Sequence, residues 1–321
     1  MQGNIINIQP KLRNTVLSCG MALGLCVAGM PAAQADNGRL LATGGATEIE
    51  GSAGGGIVPW ALISGYGTAD EVGGTAFLTN VTVPNYNLVS GGAAVGFYDR
   101  VEISYARQRL ALDNTVLSGL GLNTSPAIRQ DVFGLKVKVL GDAIFSQDTL
   151  MPQISVGLQY KRNLDFDFIP KTLGARSADG TDFYVAATKL FLGGLDGHNV
   201  LLNANVRMTK ANQMGLLGFG GPGNNSYQAE FEGSAGVFLD RANTWLLGAE
   251  YRQNPDNGLG APLGVHLHQD AYKDGYIAYI PNKRFALVMA YADLGALPDT
   301  TQPGANSTSK DGMYVSGQFS F

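Results

Sequence analysis

Residues 312–321, GMYVSGQFSF, alternate in polarity along their whole length. Successive side chains of a β-strand point to opposite faces of the sheet, so the stretch predicts a strand with two chemically different faces. One face carries Met313, Val315, Gly317, Phe319 and Phe321, and the other carries Tyr314, Ser316, Gln318 and Ser320. Ten residues suffice for a tilted strand to cross a membrane, with the apolar face toward lipid and the polar face toward a lumen.

Eleven further segments of strand length precede this one. They are residues 57–66, 87–97, 101–110, 129–140, 153–163, 181–191, 200–211, 228–239, 244–253, 271–280 and 285–294. Gaps after odd-numbered segments have 16 to 20 residues, whereas gaps after even-numbered segments have at most twelve. Outer-membrane barrels have short periplasmic turns and long external loops. The pattern therefore predicts an all-β fold, an antiparallel transmembrane β-barrel of twelve strands with both ends on the periplasmic side.

Two segments leave the strand count open between 10, 12 and 14. Val72–Val83 could be a further strand, or a hairpin within the first long loop. The segment at 57–66 contains Pro59, which lacks the N–H that a sheet ladder uses, so this strand would begin later or carry a bulge. A water-soluble β-sandwich is the alternative fold, but its turns would come at regular short spacing.

The composition agrees with a membrane barrel. Charged residues make up 15% of the chain and glycine accounts for 44 of 321 residues. After residue 35, no apolar run approaches the length of a spanning helix. Removal of residues 1–35 takes away two of the 22 basic residues and none of the 26 acidic ones, which leaves a net charge of −6. This acidity argues against nucleic acid or an anionic membrane surface as a partner.

The N-terminus has the features of a cleaved signal peptide. Lys11 and Arg13 precede the apolar residues 16–30, and Ala33-Gln34-Ala35 forms a small-residue cleavage site. We expect export and cleavage after residue 35; the alternatives are an uncleaved anchor helix or a lipoprotein with Cys26 lipidated. Cys19 and Cys26 are the only cysteines, so the mature chain would have no disulfide and no thiolate metal site.

Two stretches carry a family resemblance. The first runs from LLATGG at 40–45 through IEG at 49–51 and GGG at 54–56 to PWAL at 59–62. The second is GFYDRVEISYA at 96–106. Both resemble the Gram-negative family of domain of unknown function 3034. The resemblance covers most of the mature chain and implies an outer-membrane, porin-like barrel, but it brings no catalytic or binding residues with it.

Alternation also predicts which polar residues line the lumen. These are Glu102, Lys136, Lys138, Lys161, Asn203, Asn205, Arg207, Glu230, Glu232, Glu250 and Arg252. The predicted register brings Glu102 near Lys138 and Arg207 near Glu232. It also brings Arg252 near Glu230 or Glu232. Both signs of charge meet across strands, whereas a strongly ion-selective pore would favour a ring of one sign. The lumen is therefore either a narrow polar passage or closed by ion pairs.

The sequence offers little catalytic chemistry. His266, His268 and Asp270 could form a weak metal site, but we interpret them as part of a solvated external loop, and we expect neither a metal nor a cofactor. A hydrolase would need a histidine beside its nucleophile on the barrel wall, and no histidine lies inside a predicted strand. The glycine-rich segment 215–225 lacks the lysine of a phosphate-binding loop and is interpreted as a flexible external loop.

These features predict a porin-like channel for passive diffusion of small hydrophilic solutes rather than an enzyme. The alternative is a sealed structural barrel whose external loops bind a partner, and a lipid-modifying enzyme is a distant third. Residues 36–56 are either a small plug in the barrel mouth or a periplasmic tail. Expected partners are outer-membrane lipid, a small hydrophilic solute and the barrel-insertion machinery, which would recognise the terminal Phe321.

Overall fold

The computed structural model describes residues 39–44, 46–112, 127–264, 267–298 and 307–321. Twelve antiparallel strands form a closed barrel in which each strand pairs with its sequence neighbours and β12 pairs with β1. The strands are β1 (Val72–Val83), β2 (Tyr86–Phe97), β3 (Val101–Leu112), β4 (Ala127–Leu140), β5 (Gln153–Asn163), β6 (Asp179–Leu195), β7 (His198–Thr209), β8 (Gln228–Phe238), β9 (Trp245–Arg252), β10 (Tyr272–Asn282), β11 (Phe285–Pro298) and β12 (Ser307–Ser320). The all-β class, the antiparallel barrel and the count of twelve are confirmed.

In the described part of the chain, helical structure is confined to short turns. They are an α-helical turn at Ile169–Thr172 and 3₁₀ turns at Asn212–Gly215 and Ala261–Leu263. Within the described residues, no helix combines the length and the apolarity that a membrane crossing requires.

The first predicted strand is wrong. Residues 57–66 lie inside the barrel, and the first strand is β1 at Val72–Val83. Residues 57–63 read IVPWALI and are buried at every position, whereas a barrel strand alternates between buried and exposed residues. β1 shows this alternation in its second half. The count stays at twelve because one strand is lost and another gained.

This exchange changes the first connection. The predicted long loop at 67–86 is replaced by a two-residue turn, Pro84-Asn85, in which Asn85 has a φ of 71°. Asparagine tolerates this left-handed conformation better than most residues. One rim, the short-turn rim, carries the connections 98–100, 141–152, 196–197, 239–244 and 283–284. The opposite rim, called the long-loop rim, carries 84–85 and the connections that follow β3, β5, β7, β9 and β11.

The inward and outward faces of the strands differ in polarity. In β7, Leu202, Val206 and Met208 are exposed on the outside, whereas Asn205 and Arg207 are buried on the inside. In β12, Met313 and Val315 lie outside, while Tyr314, Ser316 and Gln318 are buried. The barrel thus has an apolar outer surface and a polar interior.

The interior is filled by residues 39–66, here called the plug, of which residue 45 is outside the description. Short backbone bridges pair Thr47 with Ala53 and Gly54 with Pro59. Nearly every residue from Thr47 to Tyr66 is buried. The sequence left open whether residues 36–56 form a plug or a tail; the structure places residues 46–56 in the lumen together with 57–66.

The plug contacts the wall around its circumference. Ser90 of β2 donates to the Ile49 carbonyl at 2.6 Å, and Thr188 of β6 accepts the Ala61 N–H at 2.7 Å. Gln318 of β12 accepts the Thr47 N–H at 2.9 Å. Contacts on such distant strands hold one peptide segment from several sides.

Candidate functional site

The candidate site is the barrel lumen together with the plug that fills it. Strand alternation points the polar wall residues inward, and ten of the eleven predicted lumen residues are buried there. These ten are Glu102, Lys136, Lys161, Asn203, Asn205, Arg207, Glu230, Glu232, Glu250 and Arg252.

Lys138 is the exception. Its amine lies near the short-turn rim and pairs with Asp99 at 2.7 Å. The predicted contact between Glu102 and Lys138 is therefore wrong. The residue opposite Glu102 in the β3–β4 register is Lys136, and the two side chains pair at 3.1 Å. The predicted register between β3 and β4 is therefore shifted by two residues, which is one inward-facing position along β4.

An ion-pair network spans β5 to β9 in the half of the wall nearer the long-loop rim. Arg207 pairs with Glu232 at 2.6 Å and with Asp182 at 3.5 Å. Arg252 lies 3.3 Å from Glu232, and Lys161 lies 2.6 Å from Asp182. The predicted Arg207–Glu232 pair is present, and of the two partners considered for Arg252 the structure selects Glu232. This part of the wall contributes three cations and two carboxylates.

The third carboxylate comes from the plug. Glu50 forms an ion pair with Lys161 through one oxygen and with Arg252 through the other, the latter at 2.9 Å. Burial acts to raise the pKa of Glu50, but the charges of Arg252, Lys161 and Arg207 outweigh it and lower the pKa to about 2. Glu50 is therefore ionised and neutralises the excess positive charge of the wall.

Glu48 lies two residues away in a different environment. Its carboxyl group accepts hydrogen bonds from the Gln159 amide at 2.8 Å and from the Glu50 N–H at 3.0 Å. Burial, followed by the nearby charge of Glu50, raises the pKa of Glu48 to about 7. The plug therefore carries one strongly acidic carboxyl group and one that titrates near neutrality.

Two wall carboxylates hold the plug by its backbone. Glu250 accepts the N–H groups of Gly56 at 2.6 Å and Ile57 at 2.7 Å. A Cβ atom at Gly55 would overlap the Glu250 carboxylate, so the close approach requires glycine there. The central glycine of the GGG motif at 54–56 thus has a local structural reason.

Glu102 plays the same part on the opposite side of the lumen. It accepts the N–H of Ala53 at 3.2 Å and that of Ser64 at 2.8 Å. Its partner Lys136 donates to the carbonyls of Ala53 and Trp60, both at 3.1 Å. One buried ion pair of the wall thereby binds both N–H groups and carbonyl groups of the plug backbone.

The long-loop end is also filled. The β7–β8 connection folds into the barrel, where Gln130 donates to the Met214 carbonyl at 3.0 Å and Asn163 donates to the Leu216 carbonyl at 2.7 Å. Phe219 is fully buried. The interpretation of segment 215–225 as a flexible external loop is therefore wrong for residues 215–219. The apolar residues between its glycines were the available signal.

The histidines lie away from this network. His198 begins β7 and contacts the Phe238 carbonyl at 2.8 Å. His268 lies in the β9–β10 connection between Asp256 at 2.8 Å and Asp270 at 3.2 Å. His266 lies outside the described residues. Across the part of the chain that the structure describes, no group of three or more His, Cys, Asp or Glu residues is arranged to hold a metal ion.

Sequence reasoning missed Asp182 because the polarity of segment 181–191 is ambiguous. Asp182 is nonetheless buried on the inner face and bonds Thr209 at 2.6 Å as well as the cations above. Sequence reasoning also missed the ion pairs of Glu50 with the wall. Strand alternation cannot show which wall residues are contacted by a segment that is not itself a strand.

Several solved outer-membrane proteins are similar in architecture. A KdgM porin aligns with a TM-score of 0.44 and 7% identity, covering 77% of this chain and 99% of its own. Omp33 from Acinetobacter baumannii aligns with a TM-score of 0.43 and 8% identity over 79% and 100% of the two chains. The COG4313 outer-membrane channel from Pseudomonas putida F1 aligns at 0.37 with 10% identity over 82% and 96%.

Sequence comparison gives a narrower result. No curated protein matches this chain significantly. A family model described as a protein of unknown function, DUF3034, matches residues 43–318, which include most of the plug and nearly the whole barrel. The chain therefore belongs to the DUF3034 family.

Proposed function

We propose that the protein is an outer-membrane channel for small hydrophilic solutes that the plug holds closed at rest. Twelve strands of 8 to 17 residues enclose the lumen, and their outward residues include Val206, Phe231, Leu247 and Val315, all exposed. Strands of nine to eleven tilted residues cross a bilayer, and an apolar outer band suits lipid. The predicted signal peptide of residues 1–35 would direct the chain there.

The observation that carries the proposal is the polarity of the wall behind the plug. Barrels of eight strands are filled by their own side chains, whereas wider membrane barrels have a polar interior that is either open to water or closed by a separate plug. Here the wall meets the plug with buried charges, and Glu102–Lys136 and Arg207–Glu232 stay paired with each other when the plug leaves. Displacement of the plug would therefore expose a wettable passage without leaving these charges without partners.

A sealed structural barrel is the second candidate, and the β7–β8 connection favours it. Residues 211–219 are buried at the long-loop end, so the plug is not the only obstruction among the described residues. On this alternative the external loops would serve as the binding surface. For neither candidate do we propose a catalytic step.

Planar-bilayer recording of the purified full-length protein separates the two candidates. We expect a closed baseline with infrequent openings for the wild type. Glu250→Ala removes the acceptor for Gly56 and Ile57 and should raise the open probability several-fold. Glu230→Ala is the matched control, because Glu230 lies inward on the adjacent strand and has no hydrogen bond or ion pair with the described plug residues.

Two outcomes would contradict the channel. Silence of folded wild type and of folded Glu250→Ala would support the sealed barrel. A steady large conductance of the wild type would show that the plug does not close the pore.

We also propose that insertion depends on the β12 end. The Phe321 N–H and carbonyl both bond Gly74 of β1, each at 2.9 Å, so this residue closes the barrel as well as offering an aromatic signal to the insertion machinery. Phe321→Ala should reduce the fraction of chain that shows heat-modifiable gel migration in the outer membrane. Normal assembly of this variant would contradict the proposed role.

A further inference from the structure

We propose that Lys161, Arg207 and Arg252 form a carboxylate-binding site in the barrel wall. Glu50 occupies it while the plug is seated, and a carboxylate-bearing solute occupies it when the plug is displaced. The inference rests on the proposed channel function and specifies the class of solute that this channel would take.

The first argument is charge balance. Of the three cations, Arg207 has Glu232 and Asp182 as wall partners, and these same two carboxylates also serve Arg252 and Lys161. Counting the side chains that these ion pairs join, the wall network has three positive charges against two negative ones. Glu50 from the plug supplies the missing negative charge.

The second argument is geometry. The two oxygens of the Glu50 carboxylate are bound by different side chains, Lys161 on one and Arg252 on the other. Lys161 and Arg252 lie on β5 and β9, and their side chains are at most 3% exposed. Two buried cations placed one at each oxygen match the charge and the two-oxygen geometry of a carboxylate. The site is thus built by the wall and only filled by the plug.

The third argument concerns exchange. Withdrawal of Glu50 without replacement would break its ion pairs with Lys161 and Arg252 and leave three wall cations with two carboxylates, which is unfavourable. An anion that takes the place of Glu50 removes this cost, so it binds the displaced state better than the closed one. A ligand with such differential affinity shifts the population toward the open state, whereas a neutral solute does not.

Chemical rescue in the mature protein, from which the predicted signal peptide of residues 1–35 has been removed, tests the site itself. The reporter is Val58→Cys in the plug, because Val58 is fully buried and Cys19 and Cys26 lie within the predicted signal peptide. In this background Glu50→Ala should raise the rate of thiol labelling at least tenfold. Acetate or formate should restore slow labelling to within about twofold of the parent, and acetamide or chloride should not.

Glu48→Ala is the matched control. Glu48 is a buried plug carboxyl group two residues away, but it takes its hydrogen bonds from Gln159 and from the backbone. Its labelling rate should not respond to acetate. A second control, Glu50→Ala with Lys161→Met, should lose the rescue. Absence of rescue, or equal rescue by acetamide, overturns the proposed site.

Bilayer recording of the wild type tests the solute. Succinate should raise the open probability several-fold at concentrations where succinamide has no effect. Rescue together with equal responses to both compounds overturns the solute specificity. If acetate restores slow labelling but no variant conducts in the bilayer, the channel function is overturned, and the proposed solute with it. The three cations would then be a site that holds the plug in place. Openings without rescue overturn the site and leave the channel intact.

Discussion

Two carboxyl groups of the plug, separated by one residue, respond in opposite directions to their surroundings. Glu50 faces Lys161 and Arg252 and is ionised, whereas Glu48 has neutral donors and holds its proton up to near neutral pH. The difference comes from which wall side chains each residue meets, since Gln159 beside Glu48 is neutral whereas Lys161 and Arg252 beside Glu50 are charged. Such a contrast lies beyond sequence patterns, because both residues belong to a segment without regular structure.

The raised pKa of Glu48 predicts that seating of the plug depends on pH. The ordinary value of 4.5 rises to about 7 in the folded protein, so the folded state binds the proton more tightly. This contribution to stability is fully present below about pH 4.5 and is lost as pH rises through about 7. At about 1.4 kcal/mol per pKa unit, it amounts to at most roughly 3 kcal/mol.

The measurement is the rate of thiol labelling of Val58→Cys between pH 5 and 8. The rate is corrected for the ionisation of the cysteine thiol itself. Labelling should accelerate with rising pH, and Glu48→Gln should flatten the profile. Glu50 has the opposite sign, since its lowered pKa gives stability that is lost only as pH falls from about 4.5 through about 2. A profile unchanged by Glu48→Gln would refute the assignment.

Gly55 gives a second prediction at this scale. A methyl group there would overlap the Glu250 carboxylate. Gly55→Ala should therefore destabilise the folded barrel by about 1–3 kcal/mol, as overpacking does. The control is Gly275→Ala, because a Cβ at Gly275 would meet no atom within 4 Å. The urea concentration at the midpoint of unfolding is measured for both variants. Equal midpoints would show that the plug accommodates the added methyl group without loss of stability.

At the scale of elements, the strands were predictable and the plug was not. Eleven of the twelve predicted strands overlap observed ones because alternating polarity is a local property of the chain. Segment 57–66 was misassigned because a buried, irregular peptide of apolar residues resembles a buried strand in sequence. Only its lack of alternation, together with Pro59, distinguished it from β1.

The lysines of β4 provide a test of how the wall holds the plug. Lys136 contacts Glu102 and two plug carbonyls, whereas Lys138 contacts Asp99 at the rim. Lys136→Met should destabilise the barrel by about 3–5 kcal/mol because it leaves the Glu102 carboxylate buried without its cation. Lys138→Met should cost about 1 kcal/mol or less, since its amine is partly exposed. Equal unfolding midpoints would contradict the assigned difference.

The whole molecule combines an apolar exterior with an interior built from ion pairs. The exterior follows directly from the sequence, and so do the identities of ten buried lumen residues. The partners could not be fully predicted, since a shift of one inward position separates Glu102–Lys138 from Glu102–Lys136. Contacts between the plug and the wall depend on the three-dimensional path of the plug, and the plug sequence has no alternation of polarity from which that path could be predicted.

Membrane crossing gives a prediction for the whole barrel. Leu202 is exposed on the outer face near the middle of β7. Leu202→Lys should destabilise the folded protein in bilayers by about 2–4 kcal/mol, as charges at the bilayer midplane do. Leu263→Lys, in the β9–β10 connection, should change the stability little because Leu263 is exposed beyond the strands. Refolding titrations in lipid vesicles compare the two, and equal effects would argue against a membrane around β7.

The contact between Thr47 and Gln318 joins residues 271 positions apart. During synthesis the plug emerges before any strand, yet part of its binding site arrives only with the last one. The full set of contacts between plug and wall therefore forms only after β12 has joined the sheet. A chain truncated before β12 would lack both the final strand pairing and the partner of Thr47, so its plug would be held less firmly than that of the finished barrel.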